Sequence, residues 1–263
     1  MPSTPKALQL PRWVDTLRST LTKNLKENKD LISYAFASID SDSKFPKVRY
    51  VVHRGFVNER RKDGDGSNNL VKDEEEKDLI WDKLVVTTDA RTPKSLQLAA
   101  DPSVEIAWWL AATQHQFRIL GKAYILPSPA FSSSSSTKFP FPADKLAPYP
   151  DFNWEDERIR QFRKLSPELR ASFVRPVPGT KLSEWDGKME DLPETLVEGY
   201  DEAKTDEEKK QLDEALHNFA LIVIDPSEID LVDLGSQPNV RTKWFRSSSS
   251  GDGNGWEEQG VVP

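Results

Sequence analysis

The stretch PKVRYVVHRGF at residues 46–56 decides the fold, and two more stretches follow it in order: LVVTTDARTPKSLQLAADPSVEIAWWL at 84–110 and HQFRILGKAYIL at 115–126. Runs rich in Val, Ile, Thr, Tyr, Phe and Trp that are bounded by turn residues are typical of strands. We therefore predict strands at 48–57, 84–88, 104–110 and 115–126. The short AATQ between the last two indicates a hairpin.

A helix is predicted between the second and third of these strands. Thr92 is suited to the N-cap position and Pro93 to the first helical position, and Asp101-Pro102 ends the helix. A second, amphipathic helix is predicted near the N-terminus. Its apolar residues recur every fourth position, at Trp13, Leu17, Leu21 and Leu25.

The rest of the chain adds strands and peripheral helices. We predict further strands at 32–39, 218–225, 228–234 and 240–245 and at the terminal GWEEQGVV, and helices at 156–165 and 167–173. Mostly hairpin-connected strands with few helices favour a mainly β fold, an antiparallel barrel. We expect residues 1–263 to form a single domain with flexible insertions at 58–78, 128–153 and 184–214.

Composition excludes several classes of function. The chain of 263 residues has no Cys, which rules out disulfides, thiolate catalysis and cysteine-ligated metals. Its three His lack metal-ligand spacing, so no metal site is expected. A net charge of -7 argues against nucleic-acid binding. No stretch approaches the roughly 20 apolar residues of a membrane span, and no signal peptide is apparent. We expect a soluble, cytoplasmic protein.

The basic residues inside apolar strands are the candidate ligand-binding residues, because a charge there is costly unless it is paired. Arg49 and Arg54 flank one strand core, and Gln116 and Arg118 share a face of another. Near the predicted helix start lie Thr88, Arg91 and Lys94. Free N–H groups and basic side chains suit a phosphate. The alternatives are an ordinary capped helix with solvated cations and, for Arg49, a salt bridge to a neighbouring strand.

One geometric condition applies to Arg49 and Arg54. They are five positions apart, so a regular strand places them on opposite faces. They converge only if the strand twists or bulges, or if Arg54 lies beyond its end.

Taken together, these stretches resemble the flavin core of the pyridoxamine 5′-phosphate oxidase family. The sequence pattern of that family begins with an Arg, four apolar residues and Lys-Gly-Phe. A strand ending in Tyr-Thr-Asn and a Ser-Arg-Lys turn come next, and a helix and a strand with Gln-x-Arg-x-x-Gly follow. The segments GSQPNVRTKWF at 235–245 and GWEEQGVVP at 255–263 are similar to its closing motifs. A subgroup carries Arg-Gly-Phe, as residues 54–56 do here. The resemblance covers about half of the chain and implies an antiparallel FMN-binding split β-barrel.

The resemblance also implies roles for individual residues toward FMN. Arg49 falls on the arginine that contacts the FMN phosphate, and Lys94 on the phosphate-binding lysine. Gln116 falls on a glutamine that reaches the flavin from the other subunit, so a homodimer with FMN at its interface is expected. The remaining FMN-binding candidates are Tyr50, Val51, Val52, Arg54, Thr87, Thr88, Arg91 and Arg241.

The chain departs from the family pattern where the substrate binds. Pro93 occupies the position of a phosphate arginine, so Arg91 has to substitute for it. The family's substrate-contacting Arg and His are missing from their strict positions, and Arg241 is displaced by one residue. Arg54 replaces a lysine between flavin and substrate phosphate. FVRPVPGT adds Arg175 and Thr180 as candidate contacts for a small phosphorylated substrate.

Several functions are compatible with this pattern. An oxidoreductase resembling pyridoxamine/pyridoxine 5′-phosphate oxidase would pass hydride to FMN, with reoxidation by oxygen. A non-catalytic flavin-binding or sensing module, a flavin reductase and a ligand-free barrel are the alternatives. No catalytic residue is identified, since His53 and His115 are candidates only by residue type. Trp108 and Trp109 are adjacent and point to opposite faces, so at most one of them faces a ligand.

Overall fold

The computed structural model of the chain describes residues 10–59, 79–247 and 255–263. Strands dominate the described residues. They are β1 (Ser33–Ile39), β2 (Pro46–Phe56), β3 (Leu84–Asp89), β4 (Ser103–Leu110), β5 (His115–Leu126), β6 (Phe219–Asp233), β7 (Val240–Arg246) and β8 (Trp256–Val261).

These strands form one antiparallel sheet that closes into a barrel. The strand order is β3-β2-β1-β4-β5-β6-β7-β8, and β3 also pairs with β6. Six strands therefore make a closed barrel, which removes their exposed edges, while β7 and β8 extend from β6. The predicted mainly β fold, an antiparallel split barrel with peripheral helices, is confirmed.

Helices surround the barrel. They are α1 (Arg12–Glu27), α2 (Pro93–Ala100), α3 (Pro129–Ser134), α4 (Ala143–Leu146), α5 (Trp154–Arg163), α6 (Pro167–Ala171) and α7 (Asp206–Asn218). The predicted amphipathic helix is α1, and its Trp13, Leu17 and Leu21 are buried in the barrel core. The predicted start of α2 is also confirmed, because Thr92 stands at the N-cap position and Pro93 follows it.

The prediction of two strands at 218–225 and 228–234 is wrong, because β6 runs unbroken through Pro226. A proline lacks the N–H that a strand ladder needs, and bulges tolerate that loss. The pairing of β5 with β6 is irregular between Leu120 and Gly121, opposite Pro226. A Cβ on Gly121 would meet the Asp225 carbonyl oxygen at 2.3 Å, so this close approach requires glycine.

Two apolar cores hold the fold together. The first fills the barrel interior and includes Phe36, Ile106 and Ile119. The second lies between the outer faces of β3 and β6 and the helices, and includes Val85, Phe162 and Leu212. Alternate residues of β3 therefore contribute to opposite cores, which is why its strand reads as a continuous apolar run.

The structure shows different things for the three segments that we expected to be flexible insertions. Residues 60–78 of the first insertion lie outside the described residues. Segment 128–153 contains α3 and α4, and its Leu146 is fully buried in the second core. Segment 184–214 contains much of α7, whose N-terminus carries a capping box between Thr205 and Glu208. Among the helices described, none is long and apolar enough to cross a membrane.

Candidate functional site

Arg49 anchors a polar cluster at the start of α2. Its Nη1 donates to Ser38 Oγ at 2.7 Å and to the Lys47 carbonyl at 2.8 Å, and its Nη2 donates to Gln97 Oε1 at 2.9 Å. The strand pairing places Arg49 opposite the core residue Phe36. Its guanidinium therefore reaches the cluster from the inward-facing side of β2.

Lys94 brings a second cation to the same place. Its ammonium donates to Thr88 Oγ1 and lies 3.5 Å from Thr92 Oγ1. Thr92 in turn exchanges a hydrogen bond of 3.0 Å with Ser95 Oγ. Two hydroxyls, those of Thr88 and Thr92, thus lie beside the Lys94 ammonium, and Ser95 contacts the second of them.

Neither cation of this cluster is neutralised by a carboxylate. Within the described part of the chain, no Asp or Glu forms an ion pair with Arg49 or Lys94; their partners are hydroxyl, amide and carbonyl groups. Burial, together with the positive charge of Arg49, lowers the pKa of Lys94 to about 8, against the opposing effect of Asp89. Two adjacent, partly buried cations without a carboxylate partner among the described residues are costly, so the cluster fits an anionic ligand.

Sequence reasoning missed Gln97 and Ser38. Gln97 Oε1 accepts hydrogen bonds from Arg49 Nη2 and, at 2.8 Å, from Ser38 Oγ. Gln97 therefore helps to hold the guanidinium of Arg49 in place. Residues three apart share a helix face. The i, i+3 spacing of Lys94 and Gln97 was therefore a usable signal that the two side chains act together.

Arg91, a predicted phosphate ligand, has a different environment. Its guanidinium binds both carboxylate oxygens of Asp89 and donates to the carbonyls of Phe173 and Arg175. These bonds tie the turn between β3 and α2 to residues 173–175. The structure does not bring Arg91 into contact with Arg49 or Lys94.

Arg54 lies on the other face of β3 from the cation cluster. Its Nε donates to Thr87 Oγ1 at 3.1 Å, and Thr87 is adjacent to Thr88, which faces the cluster. Regular alternation along β2 places Arg54 on the face opposite Arg49, and its bond to Thr87 agrees with this. A bulge is present between His53 and Phe56, with Gly55 at φ 108°, but it does not bring Arg54 to Arg49.

The outer face of β2 carries the residues expected beside the flavin ring. Tyr50 is 79% exposed and Val52 is half-buried, whereas Val51 is buried in the barrel core. Val51 therefore offers only its backbone to a ligand on this face. Trp109 shares the outer face, while Trp108 is buried and donates to the Leu31 carbonyl.

Gln116 and Arg241 lie farther along the same outer face. Gln116 pairs with Trp109 of β4 and Val232 of β6, and Arg241 pairs with Val232 from β7. Arg241 makes two hydrogen bonds to Asp230, of 3.0 and 2.8 Å. Arg118 donates to the same carboxylate. Arg241 is thus part of an ion cluster in this chain.

The predicted substrate residues Arg175 and Thr180 are exposed. Thr180 Oγ1 bonds the nearby Val177 carbonyl at 2.8 Å, and the Arg175 carbonyl is held by Arg91. In the described structure neither side chain contacts Arg54. Residues 173–175 are tied to the turn after β3 by Arg91, but the Arg175 and Thr180 side chains do not form a substrate pocket with Arg54.

The two histidines that were candidates only by residue type, His53 and His115, are held by packing and backbone contacts. His53 is 1% exposed and packs among the rings of Tyr34, Phe56 and Trp108. His115 Nδ1 lies 2.7 Å from the Thr113 carbonyl oxygen. No group of three or more metal-ligating side chains occurs among the residues that the structure describes.

Comparison with known proteins decides what this barrel belongs to. Residues 10–127 match the family model described as pyridoxamine 5′-phosphate oxidase, FMN-binding domain. Within residues 10–127 the chain is similar to the FMN-binding domain of the pyridoxamine 5′-phosphate oxidase family. The cofactor of this domain is FMN, and the matched range contains Arg49, Lys94 and Gln116 but not Arg175 or Arg241.

Relatives of the FMN-binding domain share the fold at low identity. A pyridoxamine 5′-phosphate oxidase-related, FMN binding protein from Nostoc punctiforme superposes with a TM-score of 0.62 at 19% identity, over 97% of this chain and 100% of its own. PhzG from Burkholderia lata, solved with tetrahydrophenazine-1-carboxylic acid, gives 0.53 at 12% identity, over 98% and 99%. The uncharacterized protein YGR017W of Saccharomyces cerevisiae is 20% identical over 97% of this chain and 99% of its own.

The donor set of the cation cluster fits the phosphate of FMN. A phosphate group offers negative oxygens to the two unneutralised cations, Arg49 and Lys94, and to the hydroxyls around them. Tyr50, which follows Arg49 in β2, points to the opposite, outer face of the strand and is exposed.

We predict that Arg49→Ala weakens FMN binding by roughly 1.5–3 kcal/mol, the usual contribution of a hydrogen bond to a charged group. Lys47→Ala is the matched control, because Lys47 is two residues away on β2 and its side chain pairs with Asp40 instead. Quenching of flavin fluorescence on titration measures both affinities. Equal affinities for the two variants would remove Arg49 from the site.

We also predict that FMN affinity falls as pH rises above about 8. The pKa of Lys94 is about 8 without ligand, and a bound phosphate raises it, so binding favours the protonated lysine. The affinity for FMN is therefore highest below pH 8, and above pH 8 it declines by at most about tenfold per pH unit. Lys94→Arg should flatten the profile, because arginine stays charged. A wild-type profile between pH 7 and 9.5 as flat as that of the arginine variant would contradict this role.

Proposed function

We propose that this chain is an FMN-dependent oxidoreductase of the pyridoxamine/pyridoxine 5′-phosphate oxidase type. The observation that carries the proposal is the pair of partly buried cations, Arg49 and Lys94, with no carboxylate partner in the described structure. When bound, FMN would accept a hydride from a substrate C–H bond, and oxygen would be the final electron acceptor. The protein's own contribution is binding, orientation and electrostatics.

Arg49 and Lys94 hold the phosphate, and the hydroxyls of Thr88 and Ser38 orient these two cations. Gln97 keeps the guanidinium of Arg49 in place. With the phosphate fixed at the start of α2, the ring lies along the outer face of β2 at Tyr50. Arg91 acts indirectly in this proposal, by holding the turn that presents Lys94.

Arg54 is the residue that we assign to the substrate. Burial lowers the pKa of Arg54, and its hydrogen-bond partner is the neutral Thr87 hydroxyl. No carboxylate pairs with Arg54 in the part of the chain that the structure describes, so an anionic substrate group has a cation to bind. A small phosphorylated alcohol or amine fits this arrangement. Arg175 and Thr180 remain further candidates for the same phosphate.

No side chain is assigned to proton transfer. His53 is enclosed by aromatic rings in the core, and His115 contacts the Thr113 carbonyl at the start of β5. The rate enhancement in this proposal comes from holding the substrate carbon against the flavin and from cations near the developing negative charge.

We further propose that the chain works as a homodimer with FMN at the interface. The outer face of β2, β1, β4 and β5 exposes several large apolar side chains: Val48, Tyr50, Trp109 and Leu120. Such a face on a small protein is typical of a binding surface. A two-fold axis would cover it with the same face of a second copy.

The position of Gln116 supports the same assembly. Three strand spacings separate β2 from β5, or about 14 Å. A glutamine side chain spans less than half of this distance. We therefore assign Gln116, and Arg241 beyond it, to the flavin held by the partner copy.

A non-catalytic flavin-binding module is the second candidate. It is favoured by the ion cluster in which Arg241 is bound to Asp230 and by the exposure of Arg175 and Thr180. In that case the chain keeps the FMN phosphate site and lacks an organised substrate site.

We predict that anaerobic addition of pyridoxine 5′-phosphate bleaches the bound flavin, and that Arg54→Met slows this bleaching at least tenfold while FMN stays bound. Removal of a charge-assisted hydrogen bond has an effect of this size. Stopped-flow absorbance measures it. A flavin that stays oxidised with this substrate but is bleached by a nicotinamide cofactor would indicate a flavin reductase instead. A flavin that neither reagent bleaches would indicate the non-catalytic module.

We predict that the FMN-loaded protein is a dimer and that Tyr50→Asp makes it monomeric, because the substitution buries a charge in the proposed interface. Leu182→Asp is the matched control, since Leu182 is 77% exposed outside that face. Light scattering after size-exclusion chromatography gives the masses. A wild-type monomer that retains FMN would contradict the assembly.

A further inference from the structure

A second pocket lies at the opposite end of β3 from the cation cluster. It has a volume of about 580 Å³, and its walls include Trp81, Lys83 and Asp225 on the barrel side and residues 143–154 on the other. This volume falls in the range of small-molecule sites. The pocket is distinct from the place where we expect FMN and its substrate.

The separation of the two sites follows from the strand. Lys83 immediately precedes β3, and Thr88, which contacts Lys94, comes five residues later. At the rise of an extended strand this is about 17 Å. Arg54 also lies toward the Thr88 end, through its bond to Thr87. No residue assigned to FMN or substrate lines the second pocket.

Aromatic rings form one wall of this pocket. Phe152 packs edge-to-face against both Tyr149 and Trp154, with ring centroids 5.3 and 4.8 Å apart. Trp81 closes the inner wall and is 6% exposed. Its buried Nε1 has no acceptor among the described residues. Trp81 thus lines the pocket with a buried indole whose N–H is not already committed to a described partner.

Charged residues form the floor and rim. Asp225 accepts from Lys83 at 3.0 Å, from Lys145 at 3.0 Å and from Arg246 at 3.2 Å. Lys145 is the accessible member of this group, with 63% of its side chain exposed, and Asp225 is its one carboxylate partner in the described structure. Lys83 and Arg246 also pair with Asp82, at 2.6 and 3.0 Å, so Lys145 is the cation of this group that is most available to a ligand anion.

The charge at the Tyr149 end sets the orientation of a ligand. Burial raises the pKa of Tyr149 to about 12, with further contributions from the carboxylates of Glu157 and Asp156. Tyr149 is therefore a neutral hydroxyl, and the two carboxylates disfavour an anion there. The apolar part of a ligand belongs against the aromatic wall and its acidic group beside Lys145.

We infer that this pocket binds a small aromatic carboxylate of one or two rings. The rings pack on Phe152, Tyr149 and Trp154, and the carboxylate accepts from the Lys145 ammonium. The site is independent of FMN, so the protein holds such a ligand with the flavin in place.

The test uses the FMN-loaded protein and 2-naphthoate as the probe. The indole N–H resonance of Trp81, assigned through Trp81→Phe, is followed by NMR during the titration. The expected result is a saturable shift of this resonance without release of FMN. The neutral isostere 2-naphthylmethanol is expected to bind at least tenfold more weakly, because it cannot form the charge-assisted bond to Lys145.

Lys145→Met tests the assignment of the cation, and Lys188→Met is its matched control, because Lys188 is also exposed and lies outside the pocket. We expect Lys145→Met to weaken naphthoate binding at least tenfold and Lys188→Met to leave it unchanged, with FMN content equal in both. The inference is overturned if naphthoate does not shift the Trp81 resonance saturably, if it displaces FMN, or if the two lysine variants bind it equally.

Discussion

Two positive side chains lie beside each other without a carboxylate partner in the described structure, and the proposed FMN site depends on this placement. Arg49 reaches the start of α2 from a strand, and Lys94 comes from the first turn of the helix itself. Buried like charges oppose folding unless an anion joins them. Gln97 and Ser38 hold the guanidinium with neutral oxygens, so the positive charge is kept available rather than cancelled. In the proposed function, this available charge is what binds the phosphate of FMN.

The barrel makes this placement possible because its strands end where α2 begins. β3 is fixed on both sides by pairing with β2 and β6, which leaves Thr88 and Asp89 in defined positions. Asp89 then binds Arg91, and this pair anchors the turn to residues 173–175. One arginine of the turn is therefore used for structure, which leaves Lys94 for the ligand. The same strand separates the FMN end of the molecule from the aromatic pocket at Lys83.

Much of the fold could be predicted from the sequence, because its strands have strong β-branched patterns and α2 has clear terminal residues. The single strand β6 could not, since Pro226 looks like a break unless the bulge at Gly121 is known. For the site, the proximity of Arg49, Thr88 and Lys94 was predicted correctly. The pairing of Arg91 with Asp89 and of Arg241 with Asp230 was not foreseen, because an ion pair between distant or turn residues leaves no periodic signal in a sequence. Gln97 was overlooked because an amide on a helix is usually solvated.

The most direct measurement compares the binding of FMN with that of riboflavin, which has the same ring system and lacks the phosphate. If Arg49 and Lys94 recognise the phosphate through two charge-assisted contacts, FMN should bind at least about a hundredfold more tightly at pH 7. Calorimetric titration of the flavin-free protein gives both constants. Riboflavin binding within about threefold of FMN would contradict the central role of the two cations.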